Sequence, residues 1–273
     1  MQKKGVSMER GDIFDLSGRV ALVTGGGSGL GRAFCEAMAA HGADVACVGR
    51  TEQKLSDTVK SLSRFGHRAI AVKADVSKPD EVAGMVDETV TKLGTIDILF
   101  NNAGISLAPT RVGEMPIEDW DKVMDINLRG VFLCMRAVLP VMLKQKRGSI
   151  INISSIGAFG GAMPEVTPSS YGASKAGVIA LTKFAAVEYA KEGIRINSIA
   201  PGLHQTDLGD QSDPKAAEKK EKFLEKVVSM NIPMGRIAEP FEMEGLAVFL
   251  ASDASSYVTG QVFIQDGGQL AKI

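Results

Sequence analysis

Cysteine, histidine and tryptophan are scarce: the 273 residues include three Cys, three His and one Trp. Cys35, Cys47 and Cys134, like His41, His67 and His204, are scattered along the chain. No pair has zinc-ligand or Cys-x-x-Cys spacing, which argues against a Cys/His metal site, and isolated thiols suit a reducing cytoplasm. An excess of one charge is also lacking. With 31 Lys+Arg against 32 Asp+Glu the net charge is −1, which argues against a nucleic-acid binder that relies on a basic surface. No stretch reaches the ~18 consecutive apolar residues of a membrane helix. Residues 1–16 have no apolar signal-peptide core and read as a flexible tail. What is present is ordinary globular composition, 45% hydrophobic and 23% charged, with length for one large domain over 17–273. Glycine is the surplus, at 30 residues, several of them clustered.

From Arg19 onward, short apolar runs alternate with longer helical patterns. Strands are predicted at Arg19–Thr24, Asp44–Val48, Arg68–Lys73, Ile96–Phe100, Ser149–Ser154, Arg195–Ala200 and Val262–Gln265. Helices are predicted at Gly29–Ala40, Glu52–Phe65, Pro79–Lys92 (with Ser77 as N-cap), Ile117–Lys144 (bent near Gly130), Ser169–Lys191 and Glu239–Ala251. Strands such as VALVT and IDILF are apolar throughout rather than alternating, so both of their faces are buried. Strand–helix alternation of this kind builds a parallel sheet with helical crossovers. The expectation is a single α/β domain, doubly wound and Rossmann-type, with seven strands and helices on both faces. The charged segment Gly209–Met230 stands apart. It reads either as a solvated surface helix or as part of a substrate lid over about 204–232, placed after a strand's C-terminal end.

Thr24-Gly25-Gly26-Gly27-Ser28-Gly29-Leu30-Gly31 joins the first strand to the first helix. Glycines there let backbone N–H groups approach a pyrophosphate at the positive end of the helix. The spacing is T-G-x-x-x-G-x-G rather than G-x-G-x-x-G, and its position between strand and helix is what gives it meaning. An acid at the end of the second strand would select NAD through the ribose 2′-hydroxyl. Gly49 stands there, followed by Arg50 and Thr51. A guanidinium suits a 2′-phosphate, so NADP is favoured over NAD; the bland alternative makes Arg50 a solvent-facing loop residue.

Tyr171-Gly172-Ala173-Ser174-Lys175 begins the helix after the fifth strand, and its i, i+4 spacing puts Tyr171 and Lys175 on one face. A phenol with a pKa near ~10 needs help to act as a base near neutrality. A nearby ammonium and an oxidised nicotinamide would both favour the phenolate. With no zinc ligands to polarise a carbonyl, Tyr171 beside Lys175 is the candidate acid.

Taken together and in order, TGGGSGLG, Asp75-Val76, Asn101–Gly104 (NNAG), the NISS run ending at Ser155, YGASK, and Pro201-Gly202 with Thr206 resemble the single-domain short-chain dehydrogenases/reductases. The resemblance runs from about Leu16 to Gly268. It implies Tyr171 as acid/base, Lys175 on the nicotinamide ribose, and Ser155 rather than Ser154 on the reacting oxygen. Asn127 would hold a relay water. It further implies a cofactor held by Gly25, Ser28, Gly29, Leu30 and Gly31, by Arg50 and Thr51, and by Asp75 and Val76 at the adenine. Asn102, Ala103 and Gly104 would lie at the ribose side, and Pro201, Gly202, Leu203 and Thr206 at the carboxamide. A homotetramer paired through Ile117–Lys144 and Ser169–Lys191 is implied as well. Asn101 reads as structural, His204 as incidental, and Trp120 and the methionines of Met124–Met142 as core or subunit contact.

The expected function is hydride transfer between nicotinamide and a small-molecule secondary alcohol or ketone. Leu107, Phe159, Met163, Leu203, Leu208 and Phe223 suggest a moderately apolar substrate. The loop from Ser155 to Tyr171, lengthened around Ala162–Pro168, is a departure that bears on that substrate. The rival enzyme reading is a 3-oxoacyl-thioester (acyl-carrier-protein) reductase, for which Arg111 alone gives a basic rim. A catalytically silent NADP-binding sensor would show a broken Tyr/Lys/Ser set, and here the set is intact.

Overall fold

Strand β1 (Val20–Thr24) is buried along its whole length, and its side chains alternate between two separate cores. Val20 and Leu22 face one core; Ala21 and Val23 face the other. That is why the run is apolar at every position rather than at every second one. The computed structural model describes residues 12–160, 167–206 and 228–272.

The remaining strands are β2 (Asp44–Gly49), β3 (Ala69–Lys73), β4 (Ile98–Asn101), β5 (Gly148–Ile153), β6 (Ile194–Pro201) and β7 (Val262–Gln265). They form one seven-stranded sheet in the order β3-β2-β1-β4-β5-β6-β7, and each neighbouring pair is parallel. Helices α1 (Gly29–Ala40), α2 (Glu52–Leu62) and α7 (Glu244–Ala251) cover one face. On the other lie α3 (Pro79–Leu93), α5 (Gly130–Gln145) and α6 (Ser169–Tyr189). The expected doubly wound fold is therefore present. The strand order reverses between β1 and β4, and ligands of such sheets bind outside the strand ends at that point.

Helix α4 (Ile117–Met124) runs into α5 through a π-helical turn, Asp125–Arg129, where the Gly130 N–H bonds back to the Asp125 carbonyl. The bend expected near Gly130 is thus a π-bulge centred on Asn127. The whole run Ile117–Gln145 is 29 residues with a most apolar window of mean hydropathy 1.6, long and apolar enough to cross a membrane. Half of that window is buried inside the domain, as the core helix of a doubly covered sheet requires.

Two expectations need correction. Ser77 is not an N-cap: Lys78 takes that position, and the Ser77 hydroxyl donates instead to Asp75 Oδ1 at 2.7 Å. Nor does the described part of the N-terminal segment fray. Leu16 is buried and its N–H donates to the His41 carbonyl at 2.8 Å, while the Ile13 carbonyl accepts from Ala254.

Asp97, just ahead of β4, ties the centre of the sheet at its N-terminal edge. Its buried carboxylate accepts from the Val20 N–H at 2.9 Å and pairs with Arg147 at 2.8 Å. Its backbone joins Val20 and Ser149 on the flanking strands. Asp97→Ala should lower stability by about 2–3 kcal/mol in urea unfolding, because it orphans a buried N–H. A loss under about 0.5 kcal/mol would be that of an ordinary surface change.

Candidate active site

The glycine turn leaves the end of β1, and its geometry is set from inside the protein. Gly25 (φ +69°) lies so close to Asn102 that a Cβ would fall 2.7 Å from Nδ2. A Cβ on Gly31 would collide with the Gly25 carbonyl oxygen. Gly29 (φ +50°) starts α1 in a conformation that favours glycine. Ser28 is the N-cap but makes no side-chain cap bond, and the first turn of α1 holds no acid. The first N–H groups of α1 are therefore left for an anion. This turn, with Leu30 packed into the core beneath it, fits a dinucleotide pyrophosphate.

A staple holds the turn to β4. Thr24 Oγ1 donates to the Phe100 carbonyl at 3.1 Å and accepts from the Asn102 and Ala103 N–H groups at 3.0 and 3.1 Å. Asn102 Nδ2 returns a bond to the Thr24 carbonyl at 2.9 Å. Thr24 was not singled out as a site residue, although a hydroxyl closing an otherwise apolar strand ahead of glycines was the available signal.

Arg50 and Thr51 follow β2, both exposed, with Thr51 the N-cap of α2. Asp75 follows β3 on the same rim and accepts two bonds from Ser77 through one oxygen. Burial works against its charge. The Ser77 bonds, with Arg50 and Lys78 nearby, still hold its carboxyl below the usual range. The Arg50 guanidinium makes no ion pair among the described residues, and so stands available to a phosphate. Val76 is buried against Gly130 at the start of α5.

The third group of residues gathers between β4, β5 and α6. Ser155, just past β5, is half-buried and its hydroxyl accepts from the Gly157 N–H at 3.1 Å. Its hydroxyl is also near enough to Tyr171 to draw the phenol's pKa down. Ser154 points the other way: it is buried, and its hydroxyl donates to the Ile199 carbonyl at 2.9 Å. Lys175 is buried and its ammonium donates to the Ile153 carbonyl at 2.7 Å, 5.7 Å from the centre of the Tyr171 ring. A Cβ on Gly104 would lie 3.4 Å from Lys175 Nζ and 3.2 Å from Asn127 Oδ1. Asn127 is fully buried. Its Oδ1 accepts from the Ile105 N–H at 2.8 Å, and its Nδ2 donates to the Ile105 carbonyl and to Ser174 Oγ. Ser174 in turn donates to the Tyr171 carbonyl at 2.7 Å. The Asn127 side chain is thus spent on shaping the Gly104–Ile105 wall, so a relay water would have to meet its backbone.

Burial pushes the Tyr171 phenol above its ordinary value, and the Ser155 bond pulls it part of the way back. Burial also brings the Lys175 ammonium down to about 8. Burial is the leading cause of both shifts. A neutral phenol is the form that donates a proton to a carbonyl.

Pro201, the last residue of β6, is buried, and Gly202 sits so close to Asp266 that a Cβ would fall 2.7 Å from its Cα. Leu203 is half-buried. Thr206 reaches across to the glycine turn, with its Cγ2 3.3 Å from where a Gly29 Cβ would be. Asn101 is structural, donating to Asn152 Oδ1 at 2.8 Å, and Asn152 continues to Thr182 on α6. Met135 and Met142 are core. Of the expected apolar pocket residues, Leu107 is half-buried and Phe159 exposed. Met163, Leu208 and Phe223, with most of the expected lid, lie outside the described residues, as does most of the Ala162–Pro168 loop.

Because the folded-state pKa of Lys175 is lowered, the native chain binds fewer protons than the unfolded chain between about pH 8 and 10.5, and stability rises with pH across that window. Lys175→Met removes this increment. Urea unfolding of both proteins without cofactor should show their difference shifting toward the unaltered chain between about pH 7 and pH 10. A constant difference would mean that Lys175 titrates normally.

Known proteins share this arrangement. A family model described as enoyl-(acyl carrier protein) reductase matches residues 25–269. A 3-oxoacyl-[acyl-carrier-protein] reductase of Synechocystis sp. is 42% identical over 257 residues, covering 93% of this chain and 98% of its own. The crystal structure of levodione reductase superposes with a TM-score of 0.89 at 38% identity, covering 94% of this chain and all of that one. A candidate NAD(P)-dependent gluconate 5-dehydrogenase from Beutenbergia cavernae, solved with NADP bound at low occupancy, gives a TM-score of 0.85 at 36% identity over 95% of this chain and 100% of its own. With fold, motifs and relatives in agreement, the chain belongs to the short-chain dehydrogenase/reductase family of NAD(P)-binding oxidoreductases.

Proposed function

We propose that this chain is an NADP-dependent oxidoreductase that interconverts a small ketone and its secondary alcohol, with Tyr171 as the acid/base. The observation that carries the proposal is the meeting of Ser155, Tyr171 and Lys175 beside Gly104, at the same sheet edge as the glycine turn. A bound nicotinamide supplies or accepts the hydride. Ser155 and Tyr171 hold the reacting oxygen between two hydroxyls, and Tyr171 passes it a proton in the reducing direction. Lys175, fixed by the Ile153 carbonyl, would hold the cofactor ribose and steady the phenolate left behind. Asn127, through Ile105 and Ser174, holds the wall and the helix turn that carry these groups.

Arg50, which makes no ion pair among the described residues, and the Gly49 that replaces an acid support NADP over NAD. An added side chain at Gly49 would also press on Leu55 Cδ2, 3.3 Å from its Cβ. The decisive experiment assays ketones, sugars and 3-oxoacyl thioesters with NADPH and NADH. Reduction of ketones, with NADPH preferred by at least about tenfold, is expected. Arg50→Ala should erase the preference, and Tyr171→Phe should abolish turnover while nucleotide still binds. Equal rates with NADH would overturn the Arg50 assignment, and turnover by Tyr171→Phe would overturn the mechanism. Activity confined to thioesters would favour the acyl-carrier-protein reading instead.

We further propose that the chain self-associates as a homotetramer through α6. That helix is apolar around much of its circumference, and it leaves Ala173, Ala176, Ala180, Phe184 and Val187 exposed at helical spacing, the last two at 72% and 81%. Such a row wants cover. Replacing Phe184 and Val187 together by Glu should shift the sedimentation mass toward smaller species; an unchanged mass would dismiss this face as the contact.

A further inference from the structure

His204 reads from sequence as incidental, yet its side chain is engaged with the start of a short connection. Its Nδ1 lies 3.1 Å from the Gly202 carbonyl oxygen. A carbonyl only accepts, so Nδ1 carries the proton and Nε2 keeps a bare lone pair. Nε2 is buried with no hydrogen-bond partner among the described residues, in the lining of a cavity of about 70 Å³ shared with Arg236, Glu242, Gln265 and Asp266. Arg236 and Glu242 satisfy each other through two bonds of 2.6 and 2.7 Å. Burial keeps the imidazole below its ordinary pKa, against the raising influence of the Gly202 carbonyl and Glu242.

The backbone around it bridges two parts of the fold. Gly202 N–H donates to the Gln265 carbonyl at 2.9 Å, so His204 and β7 together use both backbone polar groups of Gly202. Gln205 N–H donates to the Ala238 carbonyl and Ala238 N–H to the Leu203 carbonyl, a single parallel bridge at His204. Two residues beyond His204, Thr206 lies over Gly29. The stretch from Gly202 to Thr206 is therefore a short strut from the sheet edge to the phosphate turn, and its one titratable side chain is the half-buried His204.

We propose that His204 is a positioning residue: its Nδ1–H, held on the Gly202 carbonyl, fixes Leu203–Thr206 over the glycine turn and so sets how tightly the nucleotide is held. This rests on the oxidoreductase reading only in taking a nicotinamide nucleotide as ligand. An Asn side-chain amide can place its nitrogen where Nδ1 lies, a Gln amide reaches toward Nε2 instead, and Leu donates nothing. Titrating NADPH, and separately NADH, into each protein and following nucleotide fluorescence reads the effect without turnover. His204→Leu and His204→Gln should weaken binding about tenfold, and His204→Asn about twofold or less. In the ketone assay the KM for nucleotide should rise in the same order, with kcat at saturation nearly unchanged. Equal binding by all variants would overturn the proposal. So would equal weakening of all three accompanied by an equal fall in melting temperature, the mark of a purely structural side chain. If the nucleotide binds but no ketone is reduced, the substrate reading fails while the titration still decides His204. If neither nucleotide binds the unaltered chain, both readings fall.

Discussion

A parallel sheet covered on both faces leaves polar chemistry almost nowhere to go except its edges. Each strand of this chain delivers its hydrogen-bonding capacity to its neighbours and its side chains to one of two apolar cores. What lies beyond the C-terminal strand ends is therefore the working surface: the glycine turn after β1, Arg50 after β2, Asp75 after β3, Asn102–Gly104 after β4, Ser155 after β5 and Gly202–Thr206 after β6. Residues far apart in sequence meet because the strands are parallel and end together. Only Asn127, Tyr171 and Lys175 come from helices, and two of them carry an unusual local feature: a π-turn at Asn127 and the burial of the Lys175 ammonium.

Buried polar groups at this edge are matched almost atom for atom. Thr24 uses its single hydroxyl proton on Phe100 and its lone pairs on two successive N–H groups. Asn127 does the corresponding work between Ile105 and Ser174. In a low-dielectric setting such fully satisfied networks are rigid, since any displacement strands a donor or acceptor. That rigidity holds Tyr171 and Lys175 in register with the turn, whereas the net strength of any one bond is only about 1 kcal/mol.

Much of this was legible in the sequence, for identifiable reasons. Apolar runs without alternation announced strands buried on both faces. The position of TGGGSGLG and the spacing of Tyr171 and Lys175 announced where polar groups would collect. Less legible were features that depend on side chains choosing between partners. Ser77 fits an N-cap by type, but the helix starts at Pro79, which puts Lys78 at the cap, and the Ser77 hydroxyl donates to Asp75. That the Asn127 amide is spent on Ile105 and Ser174 could not be read from its spacing. The π-turn leaves no mark in apolar periodicity, because it adds one residue inside a helix whose burial pattern continues on either side. Leu16 and Ile13, placed in a tail by their polar surroundings, dock because a buried slot and the Ala254 N–H await them.

The glycines of the phosphate turn carry a consequence for evolution. Gly25 and Gly31 are forced by Asn102 and by each other, through contacts made entirely within the protein. A descendant that abandoned its nucleotide would still need them to close β1 onto β4. Their presence in a chain therefore reports a way of folding. Whether the nucleotide is still in use is written instead at Arg50, Tyr171 and Lys175, positions that the interior would release at little cost or even gladly, since one of them is a buried ammonium.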